Sequence, residues 1–184
     1  MADDIDIKLR EVIRRRSYRR GHFKLASGAE SEFYFNLKPT MMSPEGALLS
    51  ARALLARIRA EKVDYVGGLE MGAVPVIACI AALSQADGRP VNTFFVRKKP
   101  KDHGTLDLVE GLTPDETLTG KRVMIIDDVA TSGGSIVKAA DAAKAAGAIV
   151  ETALVIIDRE EGATEALERA GVRLLSVLKK SDFL

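Results

Sequence analysis

The chain of 184 residues has a single cysteine, Cys79, and no tryptophan. One cysteine allows neither an intramolecular disulfide nor a multi-cysteine zinc site, so we expect a reducing compartment and a cytoplasmic protein. A dominant charge is also missing, because 27 Lys and Arg stand against 26 Asp and Glu. No global field therefore draws the protein onto nucleic acid or an anionic membrane, and any anion site must be built locally.

Long apolar runs are absent as well. The longest uncharged apolar run, 71–83, has about 13 residues, whereas a membrane-spanning helix needs about 20. The first residues are acidic and amphipathic, without the basic and then apolar layout of a secretory signal. We therefore expect neither secretion nor membrane insertion. No repeat or low-complexity linker divides the chain, so we expect one domain over 1–184.

The first forty residues predict a helix followed by two short strands. Apolar residues of 5–13 fall on one helical stripe, which predicts a helix that ends at about Arg16. The arginines at 14–20 are typical of a solvated helix end, with a nucleic-acid or phosphate contact as the alternative. Within 22–37, aromatic residues around a Ser27-Gly28 turn predict two strands.

The rest of the chain alternates between strand and helix patterns. Ser43 is a good N-cap and Pro44 is tolerated at the first helical position, so a helix begins there. Beyond it, strands are predicted at 63–68, 91–96, 122–127, 149–157 and 172–177, and helices near 73–86, 134–146 and 162–170. Such alternation predicts an α/β fold with a mostly parallel sheet. The charged stretch 97–120 does not fit it and is expected to be a lid or binding loop.

The strongest chemical signal is the segment 123–135. Its apolar first residues predict a buried strand, and Asp127 and Asp128 stand where that strand should end. Ligands of open α/β sheets bind beyond the carboxyl ends of the strands, so both acids lie at the expected edge of a site. Residues 131–135 then place hydroxyls and glycines before a helix start, whose unpaired N–H groups favour an anion. A sugar phosphate offers both hydroxyls and an anion to such a site.

Two other interpretations of this segment carry less weight. The acids could merely cap a turn while the glycines only reverse the chain, but a buried strand, two acids and Thr-Ser-Gly-Gly coincide here. The common nucleotide-binding motifs are missing, since the chain contains neither G-x-x-x-x-G-K-[ST] nor G-x-G-x-x-G. A P-loop NTPase and a simple dinucleotide binder are therefore disfavoured.

The run from Asp127 to Ser135 resembles the phosphoribosyl pyrophosphate (PRPP) motif of the type I phosphoribosyltransferases. Further segments look, in the same order, like the orotate phosphoribosyltransferases of that family: 23–28, 33–36, 97–104 and 156–159. The resemblance implies a type I phosphoribosyltransferase-like fold, with a central sheet flanked by helices. It also implies a small N-terminal hood at about 1–40, a PRPP-binding core at about 60–160 and a flexible catalytic loop at 97–111.

The resemblance implies a Mg²⁺-dependent reaction in which N1 of orotate displaces pyrophosphate from C1′ of PRPP with inversion. The product would be orotidine 5′-monophosphate, in pyrimidine synthesis. One alternative is a phosphoribosyltransferase for another base, which Lys-Asp-His-Gly at 101–104 and Arg159 disfavour. The other is a regulator that keeps the fold to sense nucleotides or to bind RNA through its N-terminal arginines.

The resemblance also implies which residues act. Catalytic roles are expected for Lys101, His103, Arg97 and Asp128, with His103 able to donate a proton to the leaving group. PRPP is expected to contact Arg97, Lys98, Lys101, His103, Glu70, Met71, Asp127, Asp128, Val129, Ala130, Thr131, Ser132, Gly133, Gly134 and Ser135. Orotate is expected to contact Thr131, Arg159, Tyr34, Phe35, Ser27 and Gly28.

The cofactor and the partner follow from the same resemblance. Mg²⁺ is expected to be held by PRPP, pyrophosphate and water, with Asp127 or Asp128 in contact only through water. A homodimer is expected, in which loop residues reach the neighbouring subunit's site.

Some details of the chain set it apart from parts of the family. A non-proline cis peptide is expected at Leu69–Glu70. Ala26 and Met71 stand where some members have lysines that touch orotate or PRPP. We interpret these differences as variation between branches of the family, with Lys24 or Lys38 as candidates to compensate.

Overall fold

The structure is a computed structural model that describes residues 2–24, 30–99 and 108–184. The helices are α1 (Ala2–Arg16), α2 (Lys38–Met41), α3 (Pro44–Ile58), α4 (Val74–Ala86), α5 (Gly134–Ala145) and α6 (Ala163–Arg169). The strands are β1 (Tyr18–Lys24), β2 (Glu30–Phe35), β3 (Tyr65–Leu69), β4 (Asn92–Val96), β5 (Val109–Glu110), β6 (Arg122–Ala130), β7 (Ile149–Asp158) and β8 (Arg173–Lys179), and a 3₁₀ helix follows at Lys180–Phe183.

The central sheet has six strands in the order β5-β4-β3-β6-β7-β8. Strands β3, β4, β6, β7 and β8 are parallel, while β5 pairs antiparallel with β4 at one edge. This arrangement confirms the predicted α/β fold with a mostly parallel sheet. The strand order reverses between β3 and β6, so the loops after these two strands border the crevice where such sheets bind ligands.

Both faces of the sheet are covered, which explains the nearly continuous apolar strands. In β7, Leu154 and Ile156 pack into the layer that contains α1, α3 and α4. The alternate residues, Ala153 and Val155, pack into the layer that contains α5 and α6. Because successive side chains of a strand point to opposite faces, a strand between two helical layers has few positions for polar residues.

The N-terminal strands β1 and β2 form a separate antiparallel pair. Its inner aromatic residue is Phe35, whose ring centroid lies 5.1 Å from that of Tyr18 and 5.1 Å from that of Phe183. These contacts pack the hairpin against the C-terminal 3₁₀ helix.

Strand β6 is longer than predicted, and this changes the position of the two acids. The sequence predicts its end at 127, but the strand continues to Ala130. The reason is the ladder with β7, in which Val129 lies opposite Ile157 and Ala130 opposite Asp158. Both acids therefore belong to the last part of the strand rather than to the turn that follows it.

Three short elements were not predicted: α2, β5 and the 3₁₀ helix. Each is too short for its periodicity to be visible in the sequence. Strand β5 lies inside the segment 97–111 that was expected to be a flexible loop, and residues 100–107 of that segment lie outside the described part. No helix in the described ranges combines the length and the apolar character needed to cross a membrane.

Candidate active site

Two neighbouring carboxylates lie at the carboxyl end of β6. Asp127 is 5% exposed; its Oδ2 accepts a hydrogen bond of 2.7 Å from Oγ of Ser135, and its Oδ1 accepts one of 2.9 Å from the N–H of Asp128. Oδ1 of Asp128 accepts a hydrogen bond of 2.9 Å from the N–H of Val129. These bonds fix the orientation of both carboxylates at the edge of the sheet.

The pKa of both acids is raised. Burial, and then the charge of Asp127, raises the pKa of Asp128 to about 7. Burial also raises the pKa of Asp127, although the hydroxyl of Ser135 acts in the opposite direction. The charge of Lys38 lowers the pKa of both groups, so this lysine acts on the acidic pair. A cation bound at this edge would favour the doubly ionised pair in the same way.

The turn after β6 has the features of an anion site. Gly133 has a φ of 79°, in the left-handed region that favours glycine, and it is the N-cap residue of α5. A Cβ atom at Gly133 would lie 3.3 Å from the carbonyl oxygen of Ala163, so the turn is also sterically tight. Ser132 and Gly134 are exposed. The first amides of a helix lack intrahelical acceptors and sit at its positive dipole end, which favours a bound phosphate.

Val129 and Ala130 differ from the other residues of the segment 127–135, because their side chains pack in the core. Val129 packs against one core layer, and the side chain of Ala130 is buried in the other. The carbonyl of Ala130 accepts a hydrogen bond of 2.9 Å from the N–H of Arg159. The two side chains therefore support the strand end from within the core.

The loop after β3 lies against the two carboxylates. A Cβ atom at Gly72 would lie 2.5 Å from Oδ1 of Asp127 and 3.1 Å from Oδ1 of Asp128. Glycine is therefore needed for this close approach, which joins the β3 loop and the β6 end into one site.

The non-proline cis peptide of this loop is Glu70–Met71, one residue later than predicted. The N–H of Glu70 donates a hydrogen bond of 2.8 Å to the carbonyl of Val96, so the peptide before Glu70 still extends the pairing of β3 with β4. Oε1 of Glu70 accepts a hydrogen bond of 2.8 Å from the N–H of Lys98, and the side chain of Met71 is exposed. The β3 loop is thus linked to the segment after β4.

Of the predicted basic loop, the structure describes Arg97 and Lys98, whereas Lys101 and His103 lie outside the described residues. The N–H of Arg97 donates a hydrogen bond of 2.8 Å to the carbonyl of Leu108. Its Nη1 lies 3.6 Å from Oε1 of Glu110, in a partly buried ion pair. These contacts bring the two ends of the segment together beside the β3 loop.

Arg159 begins the loop after β7 and is 5% exposed. Its Nη2 donates a hydrogen bond of 3.1 Å to Oε1 of Glu161, and its Cζ lies 5.6 Å from the ring centroid of Phe33. Within the described part of the chain, its buried Nε has no hydrogen-bond partner. The guanidinium therefore retains donor capacity next to the carboxyl edge of the sheet.

The aromatic residues of β2 divide between core and surface. Phe35 is 6% exposed and its side chain packs in the core. Tyr34 is 41% exposed, with its ring centroid 5.6 Å from that of Phe23. Ser27 and Gly28, the other predicted orotate contacts of the hairpin, lie outside the described residues.

Sequence reasoning missed three residues beside Arg159, namely Phe33, Glu161 and Lys180. Nζ of Lys180 lies 5.3 Å from the ring centroid of Phe33 and 3.8 Å from Oε1 of Glu161. Lys180 can be recognised as a neighbour of Arg159 only once the pairing of β7 with β8 is known.

The arginines at the end of α1 make contacts within the chain, which supports their interpretation as a helix end. Hydrogen bonds join Arg14 to the carbonyl of Asp182 at 2.9 Å, Arg15 to Glu45 at 2.9 Å and Arg16 to the carbonyl of Pro39 at 3.0 Å. The other histidine, His22, is an exposed residue of β1.

Comparisons with known proteins agree with this geometry. The phosphoribosyl transferase domain family matches residues 43–177. The chain is 54% identical to the orotate phosphoribosyltransferase of Rhodopseudomonas palustris (strain BisB18), over 96% of this chain and 95% of that protein.

Solved structures are similar over the same extent. The orotate phosphoribosyltransferase of Mycobacterium tuberculosis in complex with Fe(III) dicitrate has a TM-score of 0.83 at 35% identity, covering 97% of this chain and 98% of that one. The same enzyme in complex with PRPP has a TM-score of 0.77 at 29% identity, covering 98% and 92% of the two chains.

Proposed function

We propose how the residues of this site act, from the premise that the chain belongs to the phosphoribosyl transferase family and, within it, to the orotate phosphoribosyltransferases. The chain is therefore a pentosyltransferase of pyrimidine synthesis. It transfers the 5-phosphoribosyl group of PRPP to N1 of orotate, which gives orotidine 5′-monophosphate and pyrophosphate.

The end of β6 and the start of α5 bind the ribose 5-phosphate part of PRPP. The hydroxyls of Thr131 and Ser132 and the backbone amides of Thr131, Ser132, Gly133, Gly134 and Ser135 hold the 5-phosphate. Asp127 and Asp128 accept hydrogen bonds from the ribose hydroxyls, and Val129 and Ala130 support this run by packing in the core. The observation that carries this assignment is the Ser135–Asp127 hydrogen bond of 2.7 Å, which joins the acids to the phosphate turn as one unit.

The pyrophosphate group lies between the β3 loop and the basic segment. Glu70 and Met71 line it through their backbone, with Arg97 and Lys98 beside them. As the bond at C1′ loosens, charge grows on the departing oxygens, and stabilising that charge is the main catalytic task. Lys101 supplies a cation for this step. His103 donates a proton to the leaving group.

Orotate binds on the other side of C1′. Its carboxylate pairs with the guanidinium of Arg159, whose buried Nε is free of hydrogen bonds within the described residues. Thr131 and Tyr34 contact the ring, together with Ser27 and Gly28. The register that joins Ala130 to Asp158 supports this placement, because Arg159 and Thr131 follow those two residues.

Mg²⁺ held chiefly by its substrate suits the acidic pair of Asp127 and Asp128, because a nearby cation offsets the cost of ionising two buried carboxylates side by side. Mg²⁺ prefers octahedral oxygen ligands and keeps several waters, so PRPP oxygens and water can complete its shell, with Asp127 or Asp128 bound through water. When bound, the ion neutralises charge on the pyrophosphate.

We place the enzyme in the cytoplasm as a homodimer in which loop residues of each subunit complete the other's site. An apolar groove supports this interface: α3 and α4 line a cavity of about 350 Å³ with Leu48, Ala51, Cys79, Ala82 and Leu83. Light scattering after size-exclusion chromatography tests the dimer. A monomer at micromolar concentration would contradict it.

Orotate consumption tests the function directly. Purified protein with PRPP and Mg²⁺ should deplete the ultraviolet absorbance of orotate and release pyrophosphate in equal amounts. Adenine in place of orotate is the control and should give no pyrophosphate. Release with adenine but not with orotate would assign the chain to another base.

A further inference from the structure

Arg159 and Lys180 occupy equivalent positions at the ends of neighbouring strands. β7 and β8 are parallel, and their last paired residues are Asp158 and Lys179. The next residue of each strand is Arg159 and Lys180, and adjacent strands lie about 4.8 Å apart. The register therefore brings two cationic side chains together at the carboxyl edge of the sheet.

Both cations lie over the same aromatic ring. Cζ of Arg159 is 5.6 Å from the ring centroid of Phe33, and Nζ of Lys180 is 5.3 Å from it. Attraction between each cation and the ring face favours this position for both side chains. Phe33 thus holds two positive charges close together, although like charges repel.

A carboxylate of the chain already lies between these cations. Oε1 of Glu161 is 3.1 Å from Nη2 of Arg159 and 3.8 Å from Nζ of Lys180. Among these three side chains, one carboxylate faces two cations, which leaves one positive charge without a counter-ion; the nearby carboxylates of Asp158 and Glu160 accept hydrogen bonds from backbone N–H groups instead. The buried Nε of Arg159, without a hydrogen-bond partner among the described residues, adds an unused donor. Such an arrangement suits a further carboxylate.

Glu160 fixes the geometry of this cluster. Its N–H donates a hydrogen bond of 2.9 Å to Oδ1 of Asp158, and its Oε2 accepts one of 3.0 Å from the N–H of Ser181. The loop after β7 is thereby fastened to the C-terminal 3₁₀ helix. The backbone position of Lys180 is consequently fixed, and its side chain is 23% exposed.

We propose that Lys180 and Arg159 together bind the carboxylate of orotate, and that Glu161 is the internal counter-ion which this carboxylate replaces. The inference rests on the proposed role of Arg159. Orotate differs from uracil only by its carboxylate at C6, so a pair of cations at this point selects orotate among pyrimidines. Charge-assisted hydrogen bonds to a carboxylate are stronger than neutral ones, which gives this selection its strength.

The test compares Lys180→Met with Lys180→Arg and with a control at the adjacent lysine, Lys179→Met. Lys180→Met should raise the KM for orotate about tenfold while the KM for PRPP and kcat stay within about twofold. Lys180→Arg should keep the KM for orotate within about threefold, and Lys179→Met should leave it unchanged. An orotate KM unaffected by Lys180→Met, or raised equally by Lys179→Met, would overturn the proposal.

The neutral amide of orotate, used as a competitive inhibitor, tests whether Lys180 pairs with the charge of the carboxylate or only positions the pyrimidine ring. Its inhibition constant should be the same for the wild type and Lys180→Met. An inhibition constant raised as much as the orotate KM would assign Lys180 a purely structural role and overturn the proposal.

Glu161→Gln tests the counter-ion. Because glutamine does not compete electrostatically with the substrate carboxylate, the KM for orotate should fall about two- to fivefold. An unchanged or higher KM would contradict the exchange. Wild-type protein without orotate turnover would instead refute the proposed function itself, so the two failures are distinguishable.

Discussion

Oγ of Ser135, in the first turn of α5, donates a hydrogen bond of 2.7 Å to Oδ2 of Asp127, in strand β6. This bond closes the turn that contains Gly133, because its two residues stand before and after that turn. It also gives a buried carboxylate one of the partners that it needs in place of water. The end of the strand and the start of the helix therefore act as one rigid unit.

Ser135→Ala should weaken this unit. The buried Oδ2 of Asp127 loses a partner, so the free energy of unfolding should fall by about 1–2 kcal/mol, as measured by urea denaturation. The KM for PRPP should rise about tenfold, since the acid and the turn are no longer held together. Ser132→Ala, at an exposed serine of the same turn, is the control for stability and should change it by less than about 0.5 kcal/mol. An equal loss in both variants would contradict the role of the bond.

The stability of the ligand-free protein should depend on the ionisation of Asp128. Burial and the charge of Asp127 raise its pKa from 3.8 to about 7, so the folded state binds this proton more tightly than the unfolded state. The contribution is fully present below pH 4 and is lost as the pH rises through about 7. It amounts to on the order of 2–4 kcal/mol. Urea denaturation between pH 5 and pH 8 should show the decline, and the decline should be smaller in Asp128→Asn, in which only the raised pKa of Asp127 still contributes.

Asp128→Asn should have opposite effects on stability and on substrate binding. Asparagine keeps an acceptor for the N–H of Val129 without the cost of a buried charge, so the variant should be more stable at pH 8. PRPP should bind more weakly, because the ribose hydroxyls lose an ionised acceptor. Calorimetric titration with PRPP and Mg²⁺ measures this, and an affinity equal to that of the wild type would remove the ribose role.

Gly72→Ala should separate the β3 loop from the acids. Its Cβ atom would lie 2.5 Å from Oδ1 of Asp127, which the surrounding structure can accommodate only by moving the loop. The KM for PRPP should rise at least tenfold, because the loop proposed to line the pyrophosphate is displaced from the acids proposed to bind the ribose. Gly88→Ala is the control: its φ of 69° strains an alanine, but no atom lies within 4 Å of the added Cβ. It should lower stability and leave the KM unchanged. A similar rise of the KM in both variants would contradict the packing argument.

The sequence predicts a residue's place well when its neighbours in the chain already indicate that place, and poorly when the place depends on which strands pair. Asp127 was expected from its own strand, because it follows a run of apolar residues that a buried strand explains, whereas Arg159 was expected from the family resemblance. Lys180 was not found, since its relation to Arg159 depends on the pairing of β7 with β8. The core packing of Phe35 could not be predicted for a similar reason, because its ring contacts are Tyr18 and Phe183, which are distant from it in sequence.

Lys101→Ala should lower kcat far more than it weakens orotate binding. The lysine is assigned to the departing pyrophosphate, whose charge develops in the transition state, so its loss should be expressed mainly in the rate. A decrease in kcat of about 100-fold with an orotate KM within about threefold is the expected result. Lys99→Ala removes a positive charge from the same segment, 97–104, and is the control. It should reduce kcat by less than about threefold. An unchanged rate in Lys101→Ala would remove this residue from the catalytic group.

Arg159→Lys keeps the positive charge and therefore tests the planar donor geometry of the guanidinium. Lysine presents a single ammonium group, which cannot donate from Nε and Nη together to the two oxygens of a carboxylate. The KM for orotate should rise at least tenfold, while the KM for PRPP stays within about twofold. The opposite pattern, a raised KM for PRPP alone, would place Arg159 on the phosphate side of C1′. Because Arg159 is buried beside Phe33, thermal unfolding must show that the variant folds, and only then does the change in orotate KM report on recognition of the carboxylate.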